Sequence, residues 1–375
     1  MRRFLIFGHY GYENVGDDAM LYALLQELNG IHPQAEFTVV SRVPVTIPFS
    51  TKDKVRFVRM NPVSILRELM RSPVFIVGGG SHINDYGRFI VRAKVLLTFS
   101  ILLAVARVFS NKVYLIGNGI GPIQTIWGRI LGKTVCRLAN YITVRDKASY
   151  EIVEEFGLAK KVTLAFDLAV LISPEYQNTG SDFSRSTQRI LGISVTPVFE
   201  IYHNMKGKDS RLIDAIADAI NQELDKNEYL EVWVFIFKGG PYNSGYAISD
   251  MLQNHLRPSE RVKLVPYNPN PRQILSKISQ CHAFVGMHYH SCLFAYISNV
   301  PLLVIDYHPK CRELAHEVGL PEHAVMSLDE ILGGSFGERL KNLLESPKDS
   351  LATLPQALAM DRSRLATNIL KETVS

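Results

Sequence analysis

Residues 283–310 read AFVGMHYHSCLFAYISNVPLLVIDYHPK. The apolar runs Ala283–Val285 and Leu302–Ile305 are typical of buried strands, and Ser291–Ile297 between them is typical of a helix. A strand, a helix and a second strand in this order form the unit from which parallel sheets are built, because parallel neighbours need a crossover connection. This stretch therefore predicts an α/β fold.

The same alternation continues on both sides of this stretch. In the second half of the chain, strand-like runs precede it at Ile190–Val195, Val232–Phe237 and Val262–Val265. The first half contains a similar series, at Phe4–Phe7, Phe37–Val40, Val74–Val77, Val113–Ile116, Ile142–Val144 and Val162–Ala165. Helical patterns lie between several of these runs, at Asp17–Leu28, Lys147–Phe156, Ser210–Leu224 and Pro271–Ser279. Two such series predict two parallel sheets.

A polar segment separates the two series. Ser173–Arg189 is rich in serine and threonine and has little periodicity, so we interpret it as an interdomain linker or a long surface loop. The chain has 375 residues, enough for two domains. We expect two Rossmann-like domains with mostly parallel sheets facing a cleft, at residues 1–180 and 189–350. Residues 351–375 are expected to form a helical segment that can pack back on the first domain.

Composition excludes several classes of protein. Hydrophobic residues make up 47% of the chain and charged residues 21%, which is typical of a globular protein. The formal charge of +5 favours anionic ligands such as phosphate esters, or an anionic membrane surface. No basic run with interleaved aromatic residues is present, so we expect no nucleic-acid partner.

The cysteines and the N-terminus indicate where the protein works. The four cysteines form no CxxC pair and have no zinc-finger spacing, so we expect buried free thiols in a reducing compartment. The first residues, MRRFLIFGHY, have too short an apolar run for a signal peptide and are interpreted as a strand. We therefore expect a cytoplasmic protein.

One apolar stretch bears on membrane contact. Residues 95–109 read VLLTFSILLAVARVF. A helix that spans a bilayer needs roughly 20 apolar residues, and this run is shorter. It is interpreted either as a buried helix that covers a sheet or as an interfacial helix that touches the inner face of the membrane. Any membrane association is therefore expected to be peripheral.

Glycine-rich loops follow several strands of the first half, where parallel α/β sheets bind ligands. The segment Gly8–Asp18 contains Gly8, Asn14 and Gly16 and ends on Asp17 and Asp18 near the predicted start of a helix. It is either a tight turn capped by one of these aspartates or a ligand loop, and it lacks the dinucleotide fingerprint. Gly78–Ser81, with Gly79 and Gly80, and Gly117–Pro122 end later strands. Three such loops favour one shared cleft.

Arg145 lies where the strand Ile142–Val144 should end. A guanidinium in this place can hold a carboxylate or a phosphate by two parallel hydrogen bonds. The alternative is a salt bridge with Asp146 or another acid.

The densest group of polar residues follows the strands of the opening stretch. His288 and His290 come directly after Ala283–Val285, and His308 and Lys310 come after Leu302–Ile305. Histidine suits proton transfer near neutral pH, and lysine neutralises phosphate. Clustering favours a functional role for His290, whereas His288 and His308 are open between a functional and a structural role. No nearby carboxylate completes a familiar metal site, so we expect none.

These motifs occur together in one order along the chain: the Gly8–Asp18 loop, Gly78–Gly80, Val144–Asp146 with Ser149 and Gly157, Gly286–His290, Val300-Pro301, Tyr307–Lys310 and Gly319. Over roughly residues 1–320 the sequence resembles the polysaccharide pyruvyl transferase family. The resemblance implies a glycosyltransferase-B-like fold. It also implies transfer of a pyruvyl group from phosphoenolpyruvate to two hydroxyls of a sugar, forming a ketal in a surface-polysaccharide or cell-wall glycan precursor.

The resemblance also implies residue roles. The family motif Gly-x-Arg-x-His places the general acid at His290 and the donor-binding arginine at His288, where this chain departs from the pattern. The implied substrates are phosphoenolpyruvate, as co-substrate without a further cofactor, and a sugar or lipid-linked glycan acceptor. The alternative is a glycosyltransferase-like or non-catalytic relative that binds a nucleotide sugar in the same cleft. The sequence predicts neither the acceptor sugar nor the oligomeric state.

Overall fold

The computed structural model describes residues 2–85, 89–109, 112–172, 189–200, 205, 207–240 and 245–373. The chain divides into two compact units. The first contains residues 1–12, 17–172 and 357–375, and the second contains residues 13–16 and 173–356. The short segment Glu13–Gly16 therefore belongs to the second unit, although its neighbours in sequence belong to the first.

The first unit is built on a seven-stranded parallel sheet of order β3-β2-β1-β4-β5-β6-β7. Its strands are β1 Arg3–Phe7, β2 Glu36–Ser41, β3 Val55–Arg59, β4 Val74–Gly78, β5 Lys112–Asn118, β6 Tyr141–Val144 and β7 Val162–Leu164. Its helices are α1 Val15–Ile31, α2 Pro62–Leu69, α3 Phe89–Val108, α4 Ile126–Leu138 and α5 Lys147–Glu155. The strand order reverses direction between β1 and β4, which is where open sheets of this kind bind ligands.

The second unit contains a six-stranded parallel sheet of order β10-β9-β8-β11-β12-β13. Its strands are β8 Arg189–Ser194, β9 Leu230–Phe235, β10 Val262–Val265, β11 Ala283–Gly286, β12 Leu302–Asp306 and β13 Val325–Ser327. Its helices are α6 Lys208–Lys226, α7 Gly245–His255, α8 Pro271–Ile278, α9 Tyr289–Ile297, α10 Pro309–Glu317, α11 Leu328–Leu332 and α12 Phe336–Glu345. The order reverses between β8 and β11, so the loop after β11 lies at the predicted binding position.

The predicted two-sheet α/β fold is confirmed, and every predicted strand is present. The sequence did not predict β3 and β13, which are the outermost strands of their sheets. β3 contains three apolar residues and two arginines and is only half-buried, and β13 has three residues. Edge strands carry fewer apolar residues than central ones, so their sequence pattern is weaker. The predicted linker Ser173–Arg189 lies outside the described residues except for Arg189, which begins β8.

The apolar stretch at residues 95–109 lies almost entirely in α3. One side of α3 packs on the sheet through Leu96, Phe99, Leu103 and Ala106, all buried. Its other side exposes large apolar side chains, including Leu97 and Ile101. Among the described residues, no helix combines the length and the apolarity that a membrane span requires.

The last helix, α13 Gln356–Thr373, covers most of the helical segment predicted at residues 351–375. It belongs almost entirely to the first unit, where the hydroxyl of Ser363 donates to the main-chain carbonyl of Asp167 at 3.1 Å. All four cysteines are buried and form no disulfide, as predicted.

Candidate active site

The second unit brings three predicted residues together at the ends of β11 and β12. His288 is the residue before α9, His290 is in the first turn of α9, and Lys310 is in the first turn of α10. Because β11 and β12 are parallel neighbours, both helices begin at the same edge of the sheet. The amide groups at a helix N-terminus favour anions, so this edge suits a phosphate or carboxylate ligand.

His290 rests directly on the main chain of Gly16. A Cβ atom at Gly16 would lie 1.9 Å from the Nδ1 atom of His290, so only glycine allows this approach. Gly16 is held by its own segment, since the amide of Val15 donates to the carbonyl of Phe237 at 3.0 Å and Gly239 donates to Glu13 at 2.8 Å. Because Gly16 has no side chain, the half-buried ring of His290 can pack directly against its main chain.

His288 lies deeper than His290 and is only 4% exposed. Its ring stacks on Phe237, with 5.9 Å between ring centroids, and neither ring nitrogen has a hydrogen-bond partner among the described residues. Burial lowers the pKa of His288 well below its ordinary value, and the nearby charges of Lys238, Lys310 and His290 lower this pKa further. His288 is therefore neutral at pH 7, and this environment does not support the charged imidazolium that a substitute for the family arginine would require.

Lys238 is a member of this group that the sequence reasoning missed. It forms an isolated antiparallel bridge with Asn14, just beyond β9. Its effect on the pKa of His288 shows that its charge lies near that ring. The sequence signal was the run Phe237-Lys238-Gly239-Gly240 directly after a buried strand, which resembles the other glycine-rich strand ends. We call Gly16, Lys238, His288, His290 and Lys310 the His290 cluster.

The remaining histidine of this region has a structural role. The Nδ1 atom of His308 accepts a hydrogen bond from the amide of Lys310 at 3.3 Å and so caps α10. His290 lies in a helix, because α9 begins at Tyr289. Among the described residues, no group of three or more His, Cys, Asp or Glu side chains could hold a metal ion.

The first unit holds the other predicted residues except Asn14 and Gly16, which belong to the second unit. α1 begins at Val15, so Asp17 and Asp18 lie inside its first turn and do not cap it from outside. The Oδ2 atom of Asp17 is 3.1 Å from Nδ1 of His9, and Asp18 is fully buried. His9, which the sequence reasoning did not select, also stacks on Tyr12 at 4.1 Å between ring centroids. This pairing leaves the Nε2 atom of the half-exposed His9 for another partner.

The glycines of the first unit allow close packing around Tyr10. The hydroxyl of Tyr10 donates to the carbonyl of Gly78, and a Cβ atom at Gly8 would lie 2.4 Å from the Tyr10 ring. Gly79 and Gly80 have φ values of +64° and +77°, in the left-handed region that favours glycine. The Asn14 side chain, in the second unit, accepts from the amide of Gly16 at 3.2 Å. These residues shape the loops at strand ends, and their role in ligand binding stays a prediction.

Arg145 forms the salt bridge that was one of its two predicted roles. Its guanidinium is 3% exposed and lies 2.9 Å from the carboxylate of Asp167 and 3.5 Å from that of Asp146. It also donates to the hydroxyl of Ser81 at 3.0 Å. Two carboxylates already balance its charge, and the arginine ties together the ends of three strands. The role in anion binding stays a prediction.

His82 follows the Gly78–Ser81 loop and was not selected from the sequence. Burial lowers its pKa to about 4, while the carboxylate of Asp17 raises it and the charges of His9 and Arg145 lower it. His82 stacks on Phe99 with 5.8 Å between ring centroids. A neutral histidine thus lies at the edge of the first sheet that is predicted to bind a ligand.

Comparison with known proteins agrees with this geometry. A family model described as polysaccharide pyruvyl transferase matches residues 14–309. The chain is 19% identical to the amylovoran biosynthesis protein AmsJ of Erwinia amylovora, an alignment that covers 98% of this chain and 99% of the relative.

Solved structures share the fold. Anabaena HepE in complex with UDP-glucose has a TM-score of 0.60 at 12% identity and covers 99% of both chains. The UDP-bound MnaA of S. aureus has a TM-score of 0.62 at 12% identity, covering 100% of this chain and 97% of its own. The UDP-GlcNAc 2-epimerase of Neisseria meningitidis has a TM-score of 0.60 at 13% identity and covers 99% of both chains. At such identities the likeness concerns the fold alone, and it confirms the predicted glycosyltransferase-B-like class.

Proposed function

The chain belongs to the polysaccharide pyruvyl transferase family, and on that premise we propose that it transfers a pyruvyl group from phosphoenolpyruvate to two hydroxyls of a sugar. The products are a cyclic ketal and inorganic phosphate. We further propose that the acceptor is a precursor of an exopolysaccharide, because the full-length relative AmsJ is a biosynthesis protein for amylovoran. The His290 cluster is the observation that carries this proposal.

His290 is proposed as the general acid. It gives its proton to the methylene carbon of phosphoenolpyruvate, which becomes the methyl group, while the first sugar hydroxyl attacks the adjacent carbon. The second hydroxyl then displaces phosphate from the same carbon and closes the ketal. One hydroxyl proton returns to the histidine and the other leaves with the phosphate, so atoms and charges balance. The packing contact with Gly16 supports this role because it fixes the orientation of the His290 ring.

Lys238 and Lys310 are proposed to hold the phosphate of the donor. Both charges lie near the neutral ring of His288, and the N-termini of α9 and α10 point to the same edge. Cations and amide groups in such a place stabilise the negative charge of a leaving phosphate. In this proposal Lys238 supplies the charge that the family arginine would have supplied at position 288, and His288 contributes a flat, neutral wall.

The acceptor is assigned to the loops of the first unit. The pair of His9 and Asp17 supports this assignment, because a carboxylate on Nδ1 orients the ring so that Nε2 can accept a hydrogen bond from a sugar hydroxyl. Arg145 then acts through the loops that it ties together, by keeping Ser81 and its neighbours in place.

The test is phosphate release from phosphoenolpyruvate in the presence of a panel of oligosaccharides and lipid-linked glycans, beside a panel of nucleotide sugars. We expect phosphate release that depends on the acceptor, and a drop of about 10²–10⁴-fold in kcat for His290→Ala. His316→Ala is the matched control, because His316 is exposed on α10. Turnover of a nucleotide sugar without any use of phosphoenolpyruvate would instead favour the nucleotide-sugar alternative, which the UDP complexes of HepE and MnaA suggest.

A further inference from the structure

Two neighbouring helices of the first unit expose an unusual number of large apolar side chains. On α4, Ile126 is 79% exposed and Trp127 is 62% exposed, and Ile130 follows one turn later. On α3, Leu97, Ile101 and Val108 recur at a helical spacing and are about half-exposed or more. We call these six side chains the α3–α4 face.

The six side chains lie on one outer surface. α3 and α4 are packed side by side, and both turn buried residues such as Leu103 and Val135 toward the same side of the sheet. The exposed residues therefore point away from that sheet together. Exposed apolar side chains are normal when scattered singly, but a group of this size marks an interaction site.

The charged residues of α3 and α4 themselves are all basic. Each of the two helices contains three basic residues and no acidic residue. Lys94, Arg107 and Arg137 are exposed, and Arg129 is paired with Glu155 at 3.1 Å. The whole chain carries only +5, so these helices are distinctly more basic than the rest. Apolar side chains ringed by lysine and arginine match a surface that is apolar inside and anionic at its rim.

The position of Trp127 also favours contact with a surface that is apolar inside and anionic at its rim. Its indole combines an apolar body with an N–H donor, a combination suited to the boundary between lipid tails and headgroups. Ile126 and Trp127 form the first turn of α4, which follows β5 and the loop Gly117–Pro122. The α3–α4 face thus reaches the edge of the sheet at which the glycine-rich loops of the first unit lie.

We propose that the α3–α4 face docks this protein onto a bilayer that contains anionic lipids. Ile126, Trp127 and Ile130 enter the interface from α4 and Leu97 and Ile101 from α3, while Lys94 and Arg137 contact the headgroups. The helices lie on the membrane and do not cross it, in keeping with their length and apolarity. This inference concerns binding alone and does not depend on the reaction proposed above.

The test is cosedimentation of the full chain with vesicles of phosphatidylcholine alone and with 30% phosphatidylglycerol, a composition chosen for about a third anionic lipid. We expect binding to the anionic vesicles that weakens as salt rises. Trp127→Ser with Ile130→Ser should reduce the partition coefficient by about 10-fold or more. Lys94→Glu with Arg137→Glu should reduce it by about 25-fold or more, since each charge near such a surface contributes roughly a factor of five. Val63→Ser with Leu66→Ser on α2 removes two exposed apolar residues elsewhere in the first unit and should change nothing.

Tryptophan fluorescence tests whether the α3–α4 face is the part of the protein that contacts the vesicles. The chain has two tryptophans, Trp127 and Trp233, so Trp233→Phe leaves Trp127 as the sole reporter. Its emission should shift to shorter wavelength with anionic vesicles, while thermal unfolding shows that each variant is folded. Failure to bind, or equal binding by the Trp127→Ser with Ile130→Ser variant, would overturn the proposal. So would a dimer that becomes monomeric in that variant, because the face would then be covered by a second copy of the chain.

Discussion

The contact between Gly16 and His290 gives the sharpest prediction. In Gly16→Ala, the new Cβ would lie 1.9 Å from Nδ1 and 2.2 Å from Cγ of His290. An unstrained contact needs about 3.5 Å, so the ring must move by roughly 1.5 Å. We expect this overpacking to lower the free energy of unfolding by about 1–3 kcal/mol. The displaced acid should lower kcat by about 100-fold, as a misplacement of about 1 Å can do.

Gly30→Ala is the matched control for Gly16→Ala. Gly30 lies in the same helix, α1, and a Cβ there would meet nothing within 4 Å. This variant should be more stable by about 0.5–1 kcal/mol, because alanine is the better helix former, and its kcat should not change. Urea unfolding and phosphate release from phosphoenolpyruvate measure the two effects separately.

A double-mutant cycle decides whether the ring of His290 is the cause. In a His290→Ala background the space above Gly16 is empty, so Gly16→Ala should then cost little or no stability. The reasoning is refuted if Gly16→Ala destabilises the protein equally in both backgrounds, or if the single variant keeps both its stability and its kcat.

Three further predictions follow from buried groups. Arg145→Met should lower the free energy of unfolding by about 3–5 kcal/mol, because it removes the salt-bridge partner of the buried Asp167 carboxylate. Adding Asp167→Asn to this variant should recover part of the loss, as measured by urea unfolding. An unchanged unfolding curve for Arg145→Met would contradict the salt bridge. His82 has a pKa of about 4 in the folded protein against 6.5 as its ordinary value, so its contribution to stability is complete above pH 6.5 and is lost as pH falls toward 4. Between pH 6.5 and pH 5 this loss is about 2 kcal/mol, and His82→Phe should remove it from the measured pH dependence, whereas equal slopes in both proteins would count against a buried neutral His82. His288→Arg should lower Tm, because it adds a charge beside Lys238. Phosphate or phosphoenolpyruvate should raise the Tm of this variant more than that of the unchanged protein, and activity with phosphoenolpyruvate should be kept or improved. A Tm of the variant that does not respond to either anion would argue against a phosphate site.

The sequence alone predicted that several residues of the His290 cluster lie close together. His288, His290 and Lys310 follow neighbouring strands, and the ends of parallel strands meet at one edge, so their proximity follows from the fold class. Their protonation states do not follow from it. The neutral state of His288 depends on burial against Phe237 and on the charge of Lys238, and both come from tertiary packing.

Sequence patterns did not predict the contacts between residues that are far apart in the chain. The partner of Arg145 proved to be Asp167, 22 residues away, as well as the adjacent Asp146. The packing contact between His290 and Gly16 joins two residues that are separated by more than half of the chain. Strand periodicity predicts which residues reach an edge, but it carries no information on which loop closes over them.

The membership of Glu13–Gly16 in the second unit has a consequence for how the protein is made. A ribosome synthesises these four residues long before His290. The second sheet can form its own hydrogen bonds from residues 189–327, but the glycine beside His290 comes from a segment that is synthesised much earlier. A fragment of residues 189–356 would therefore lack the glycine on which His290 packs, and exchange of this fragment alone between proteins would separate His290 from that glycine.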